Sequence, residues 1–298
     1  MKLWGYAAGL AAAAIWGGMY VVSKVVLEVV PPFALLSLRL LLGAFVLALV
    51  QARVGRLKAS RPQARSIVLI GALGFGVSVG LQFVGTSLST AANASLVTAA
   101  SPVFLLLFGG WILHERITPR RLAALALASL GVLAVIDPRS ARFETALFQG
   151  NLALLGAAVT WGMYSVLVKR ASETVGVLEV SLLAFLGGLL VSVPLGVREA
   201  SSIGLGPIGP GTVAGILYLG VVSTALAMYL WNKSLAILEA GVVSLLFFAQ
   251  PVVGAGLGAW LLGEPLRAGF WIGAAFIGAG LVLSTFPDRR WVARLEEG

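Results

Sequence analysis

The chain has 298 residues, of which 59% are hydrophobic and 11% charged, against roughly a quarter charged in a water-soluble domain. So few charges cannot cover a solvated surface, and a mean hydropathy of +0.99 belongs to a whole chain in lipid, not to a soluble domain on one anchor. The absence of cysteine excludes disulfides, thiolate metal sites and cysteine nucleophiles, and the single histidine, His114, excludes a multi-histidine metal site. The net charge of +9 then turns on where Lys and Arg fall relative to a membrane, with no nucleic-acid partner implied.

The N-terminal apolar run resembles a signal peptide near 11–14 but continues to Val30, which is too long for one, so it is expected to remain as the first span. Apolar segments able to cross a hydrocarbon core of roughly 30 Å follow at 4–27, 33–50, 66–85, 93–113 and 122–136, then at 147–168, 178–197, 212–231, 241–262 and 268–286. The fifth is short; Thr118-Pro119 makes a cap and first-turn start for it. With the N-terminus taken as cytoplasmic, that side collects Lys2, the cluster Arg53, Arg56, Lys58, Arg61 and Arg65, then Arg116, Arg120, Arg121, Lys169, Arg170, Lys233, Arg289, Arg290 and Arg294. The other side collects only Lys24, Arg139, Arg142, Arg198 and Arg267, and Arg39 lies within a span. The imbalance implies an even number of spans with both termini cytoplasmic.

The sequence repeats internally. Trp16-Gly17 with Lys24 returns as Trp161-Gly162 with Lys169, 145 residues later; Ser101-Pro102, Glu115 and Gly131 return as Gln250-Pro251, Glu264 and Gly280, 149 residues later. Two units, 1–145 and 146–298, each hold five spans. An odd number forces the second copy into the membrane in the opposite sense. The expected fold class is therefore an all-α integral membrane protein of ten transmembrane helices in two inverted five-helix repeats.

Ala14-Ile15-Trp16-Gly17 and Val159-Thr160-Trp161-Gly162, with the fourth-helix pattern from Ala94-Ser95-Leu96 through Ser101-Pro102 to His114-Glu115-Arg116 and its copy from Val243-Ser244-Leu245 through Gln250-Pro251 to Gly263-Glu264-Pro265, resemble the drug/metabolite transporter superfamily in its EamA-type arrangement. The resemblance covers essentially the whole chain, and in length and layout it is similar to amino-acid exporters of the YddG kind. It implies ten helices around a central cavity lined by the first, third, fourth, sixth, eighth and ninth. It implies a small-molecule substrate and no cofactor.

Several residues are candidates for that cavity. Pro102 and Pro251 deprive the carbonyls of Thr98 and Phe247 of their helical partners, next to Ser101 and Gln250, and paired interruptions in corresponding helices mark a midplane site or a packing kink. Trp16, Tyr20 and Lys24 share one helix face; Trp161 and Lys169 share another, with Tyr164 beside them. These residues suit a cavity wall and a carboxylate-attracting mouth, or equally interfacial anchors with snorkelling lysines. Gln82, Asn93, Ser95, Tyr229, Asn232 and Ser244 are polar groups in apolar runs, able to read a zwitterion or to bond helix to helix. Arg39, a permanent charge inside a span, could bind substrate, but its counterpart in the second repeat is Ala184, so it is expected rather to reach a backbone carbonyl or a neighbouring helix end. Glu115 and Glu264 close the fourth and ninth helices beside Arg116 and Arg267 and are expected to form structural loop pairs, with gating as the alternative. Gly269 with Gly273 has the spacing of a packing motif that supports a homodimer.

With no Asp or Glu deep in a span and no Gly-Lys phosphate loop, proton relay and ATP hydrolysis lack their residues. The reading is a secondary transporter in the bacterial inner membrane that exports small metabolites, foremost amino acids with apolar or aromatic side chains, by alternating access. Carriage of drugs, purines or nucleotide sugars remains open, as do a membrane enzyme or a scaffold.

Overall fold

The computed structural model describes residues 1–88, 100–136, 145–262 and 268–285. Described residues form helices and short connections only. In chain order these are α1 (Lys2–Leu27), α2 (Pro32–Val54), α3 (Arg61–Gly71), a π-helical stretch (Ala72–Ser78), α4 (Val79–Leu88), α5 (Ser101–Ile112), α6 (Pro119–Ile136), α7 (Thr145–Ala171), α8 (Val177–Ile203) and α9 (Pro210–Leu217). A second π-helical stretch (Tyr218–Leu226) leads into α10 (Ala227–Ile237), followed by α11 (Ala240–Leu246), α12 (Ala249–Leu262) and α13 (Ala268–Thr285).

Five helical runs are long and apolar enough to cross a bilayer: Pro32–Val54, Arg61–Gly85, Gln149–Ala171, Val177–Ile203 and Pro210–Ile237. Ser101–Ile112 and Trp271–Leu283 are shorter apolar helices. Their outward faces carry large apolar side chains such as Phe45, Leu69, Trp111 and Leu190, as a lipid-facing surface requires, because exposed backbone amides would find no water there.

Helix starts are closed by carboxylates from distant segments. Glu199 accepts the N–H of Phe33 (2.6 Å) and Ala34 (3.2 Å) at the start of α2. Glu115 accepts those of Ala240 (2.8 Å) and Gly241 (3.2 Å) at the start of α11. Each satisfies amides that have no partner within their own helix and sets a negative charge at the positive end of the helix dipole. Glu115 is thus not the partner expected for Arg116; it ties the loop after α5 to the second half of the chain.

The Trp-Gly motifs fix the crossing of the two halves. A Cβ on Gly17 would lie 2.8 Å from the Gln250 carbonyl oxygen and 2.9 Å from Gly254 N; one on Gly162 would lie 2.8 Å from Phe104 Cβ and 2.9 Å from Leu105 N. Helix α1 therefore packs its backbone onto α12, and α7 onto α5. Each repeat's first helix meets the other repeat's Pro-containing helix. Gly269 faces the Ala134 carbonyl, and Gly273 presents its own carbonyl to Gly131. The pair proposed for a dimer is occupied inside the chain, by α6.

The two prolines do not kink continuous helices. Pro102 lies in the first turn of α5, where a missing N–H costs nothing. Pro251 follows a break between α11 and α12, and there the Phe247 carbonyl accepts the N–H of Gln250 at 3.1 Å. The carbonyl expected to be free is captured one residue early, by an i+3 bond. Thr98, the other carbonyl, lies outside the described residues.

Candidate functional site

Where α1, α2, α4, α5, α7, α10 and the α11–α12 break converge, they leave a cavity of about 70 Å³. Its wall includes Trp16, Gln82, Ser101, Trp161 and Gln250, all expected from the sequence, together with Arg39, Ser78 and Phe247. The second span, absent from the set implied by the resemblance, thus contributes a charge.

The cavity is built on aromatic rings in edge-to-face and tilted contact. Trp16 and Trp161 meet with ring centroids 6.1 Å apart and planes at 80°. Trp16 also packs on Trp231 at 5.3 Å and Phe247 at 6.1 Å, and Trp161 on Phe75 at 6.3 Å and Tyr164 at 5.0 Å. Such offset arrangements add to the apolar area that rings bury and hold them rigid.

The π-helical stretches supply the polar pins. Within Tyr218–Leu226 the Ser223 carbonyl accepts the Trp16 Nε1–H at 3.0 Å, and Thr224 Oγ1 donates to the Leu219 carbonyl five residues earlier at 2.7 Å. Widened turns of this kind loosen the usual backbone ladder and are common at functional sites. The corresponding stretch in the first half ends at Ser78, whose hydroxyl donates to the Ala157 carbonyl at 2.9 Å.

Arg39 is 6% exposed. Its Nε donates to Thr224 Oγ1 at 3.2 Å and an Nη2–H points to Met19 Sδ at 3.2 Å. The side chain lies along the cavity wall. Trp161 Nε1 is buried without a hydrogen-bond partner in the described structure, although its ring borders the cavity.

Other expected residues lie elsewhere. Tyr164 is fully buried behind Trp161, between it and Phe75 at 5.2 Å. Asn232 donates to Ser181 Oγ at 2.9 Å and ties α10 to α8. Ser244 donates to the Gly241 carbonyl at 2.9 Å and borders a narrow crevice with Ser101, Pro102 and Trp231. Tyr229 faces a separate groove of about 550 Å³ with Val50, Lys58 and Lys233. Asn93 and Ser95, and the side chains of Tyr20, Lys24 and Pro251, lie outside the described residues.

One end of the bundle is tied by charge. Lys169 Nζ donates to the carbonyls of Leu235 (2.8 Å) and Leu238 at the end of α10 and stands 3.5 Å from Glu115 Oε1. Arg121 pairs with Glu239 just before α11. With Glu115, Lys169 bridges the two halves of the chain. Cations at a helix C-terminus and anions at an N-terminus are both favoured by the helix dipole.

A multi-pass helical bundle with an aromatic cavity at the seam of two sequence repeats has the layout of a membrane carrier. The chain belongs to the EamA-like transporter family, which it matches twice, over residues 3–136 and 148–286, and so to the drug/metabolite transporter superfamily. It is 32% identical over 286 residues to a probable amino-acid metabolite efflux pump of Salmonella typhimurium, covering 92% of each chain. To a probable amino-acid metabolite efflux pump of Escherichia coli it is 28% identical over 306 residues, covering 95% of each. A solved crystal structure superposes with a TM-score of 0.85 at 23% identity, over 96% of this chain and 98% of the other, which supports the fold alone. The protein is a multi-pass membrane transporter and not an enzyme.

Proposed function

We propose that the protein exports amino acids with apolar or aromatic side chains by alternating access through the cavity at Trp16 and Trp161. The observation that carries this reading is that two tryptophans with the same place in the two repeats meet 6.1 Å apart across that cavity. In this reading the chain crosses the bacterial inner membrane ten times, as five-helix units 1–145 and 146–298 inserted in opposite senses, with both termini cytoplasmic on the distribution of Lys and Arg. The similarity to probable amino-acid metabolite efflux pumps of Salmonella and Escherichia supports amino-acid cargo. The cavity's small volume fits a constricted state of a cycle in which solute space opens at one end at a time. The Lys169–Glu115 latch closes the cytoplasmic end in that state. Because no Asp or Glu lies deep in an apolar span, transport proceeds by facilitated diffusion or exchange and needs no proton relay.

The test is flux of labelled leucine and phenylalanine in proteoliposomes of the purified protein, with and without a proton gradient. Saturable flux indifferent to the gradient is the expected result. Flux of purines or nucleotide sugars, with none of amino acids, overturns the cargo assignment.

A further inference from the structure

A second opening lies on the outside of the bundle, where α2, the start of α8, the second π-helical stretch and α10 leave the groove of about 550 Å³ that holds Tyr229. It shares no lining residue with the cavity at Trp16 and Trp161. Its walls are apolar along the spanning segments: Val46, Val50 and Val54 follow the last turns of α2, and Val221 and Leu226 belong to the π-helical stretch. Val50, Val54, Val221 and Leu226 are exposed, so the groove opens onto the bilayer, where acyl chains cover it.

One end of the groove is basic. Gly55, at φ +137°, ends α2 in a conformation that suits glycine, and the loop after it brings Arg56 and Lys58 to the groove, where Lys233 of α10 joins them. The loop is held in place. Glu179, buried in the first turn of α8, accepts the N–H of Lys58 at 3.0 Å and that of Ala59 at 2.8 Å. It is the one acidic side chain among the described lining residues, so three cations stand against a single carboxylate that two amides already engage. Among the described residues the side chains of Arg56, Lys58 and Lys233 enter no ion pair.

Lys and Arg beside the ends of spans are ordinary under the inside-charge rule. Cations fixed at the end of an apolar groove are more specific: they match a phosphodiester headgroup carried on acyl chains. Tyr229, partly buried on the same wall, has the apolar ring and polar tip that suit the headgroup level. We infer that the groove is a binding site for an anionic phospholipid, with the phosphodiester at Arg56, Lys58 and Lys233 and an acyl chain along α2 and the second π-helical stretch. That stretch also holds Trp16 through the Ser223 carbonyl, so the lipid packs against the element that pins a ring of the central cavity. Assignment to the cytoplasmic leaflet rests on the orientation proposed above; the site itself does not.

The experiment is native mass spectrometry of the full-length protein, released from a neutral detergent and titrated with dioleoyl phosphatidylglycerol or with phosphatidylcholine of the same chains. Wild type is expected to retain phosphatidylglycerol at least about tenfold more tightly. Glycerophosphoglycerol, the headgroup without chains, is expected neither to bind at the same concentration nor to displace the lipid. Lys58→Gln with Lys233→Gln is expected to weaken phosphatidylglycerol about tenfold or more, the scale of two surface cations, and to leave phosphatidylcholine unchanged. Arg53→Gln with Arg65→Gln removes the same charge from exposed residues of the same end that do not line the groove, and is expected to keep affinity within about twofold. Where the first double variant does not fold, its two single substitutions and the wild-type lipid ranking decide. Equal loss in both double variants, equal retention of the two lipids, or displacement by the chain-free headgroup overturns the site. A dimer that retains no lipid overturns it in favour of a second copy of the chain. Each of these outcomes leaves the transport reading standing, since that reading is decided by flux.

Discussion

The two halves of the chain meet at two places that solve different problems. At the centre, Trp16 faces Trp161 with Arg39 on the wall, and most of the contact is between flat apolar surfaces. At one end, Lys169, Glu115, Arg121 and Glu239 join the halves by ion pairs and by bonds to helix termini. Rings at a cavity leave polar partners to be supplied by a solute, whereas the end cluster is already satisfied from within the protein. On the proposed function, the contrast separates binding from closure: the centre changes occupancy without breaking the end, and the end opens without dismantling the centre.

The largest effect in that comparison is expected at the contact both regions depend on. Gly17→Leu or Gly162→Leu drives a side chain into backbone less than 3 Å away, and close-packed cores do not absorb such an insertion. Each is predicted to abolish recovery of monodisperse protein in size-exclusion chromatography after detergent extraction. Recovery at wild-type yield contradicts the crossing described for α1 with α12 and α7 with α5.

A smaller effect separates end from centre. Lys169→Met removes the cation from the α10 carbonyls and from Glu115. Because the chain has no cysteine, a single Ser234→Cys reporter, placed at a fully buried site on α10, can be labelled cleanly. Labelling by a membrane-impermeant maleimide is predicted to accelerate severalfold in the Lys169→Met background. An unchanged rate sinks the latch. Smallest of all, Asn232→Ala removes an interhelical bond to Ser181 worth about 0.6–2 kcal/mol, so a lower Tm of the purified protein with solute binding retained is expected.

Much of this was legible in the sequence because membranes leave few alternatives: apolar runs must be helices, and the repeated Trp-Gly and Pro motifs mark the helices that meet. Gln82, Ser101 and Gln250 reached the cavity as expected. Tyr229 and Asn232 did not. Polarity in an apolar run does not tell a cavity wall from a bond between helices, and Asn232 makes the latter, to Ser181. Arg39 bonds Thr224 in the widened turn of the second π-helical stretch, and its repeat counterpart Ala184 gave no symmetric hint. The partners of Glu115, the amides at the start of α11 and Lys169, were not legible because they are set by tertiary packing that loop positions in the sequence do not encode.

The most direct measurement is amino-acid counterflow in proteoliposomes containing Trp16→Ala, Trp161→Ala or, on the lipid-facing surface, Trp260→Ala, each compared with wild type at equal reconstituted amount. The account predicts that either central substitution removes most of the flux and that Trp260→Ala, at a residue 80% exposed, retains it. Full flux in both central variants would contradict the claim that the solute passes between these two rings.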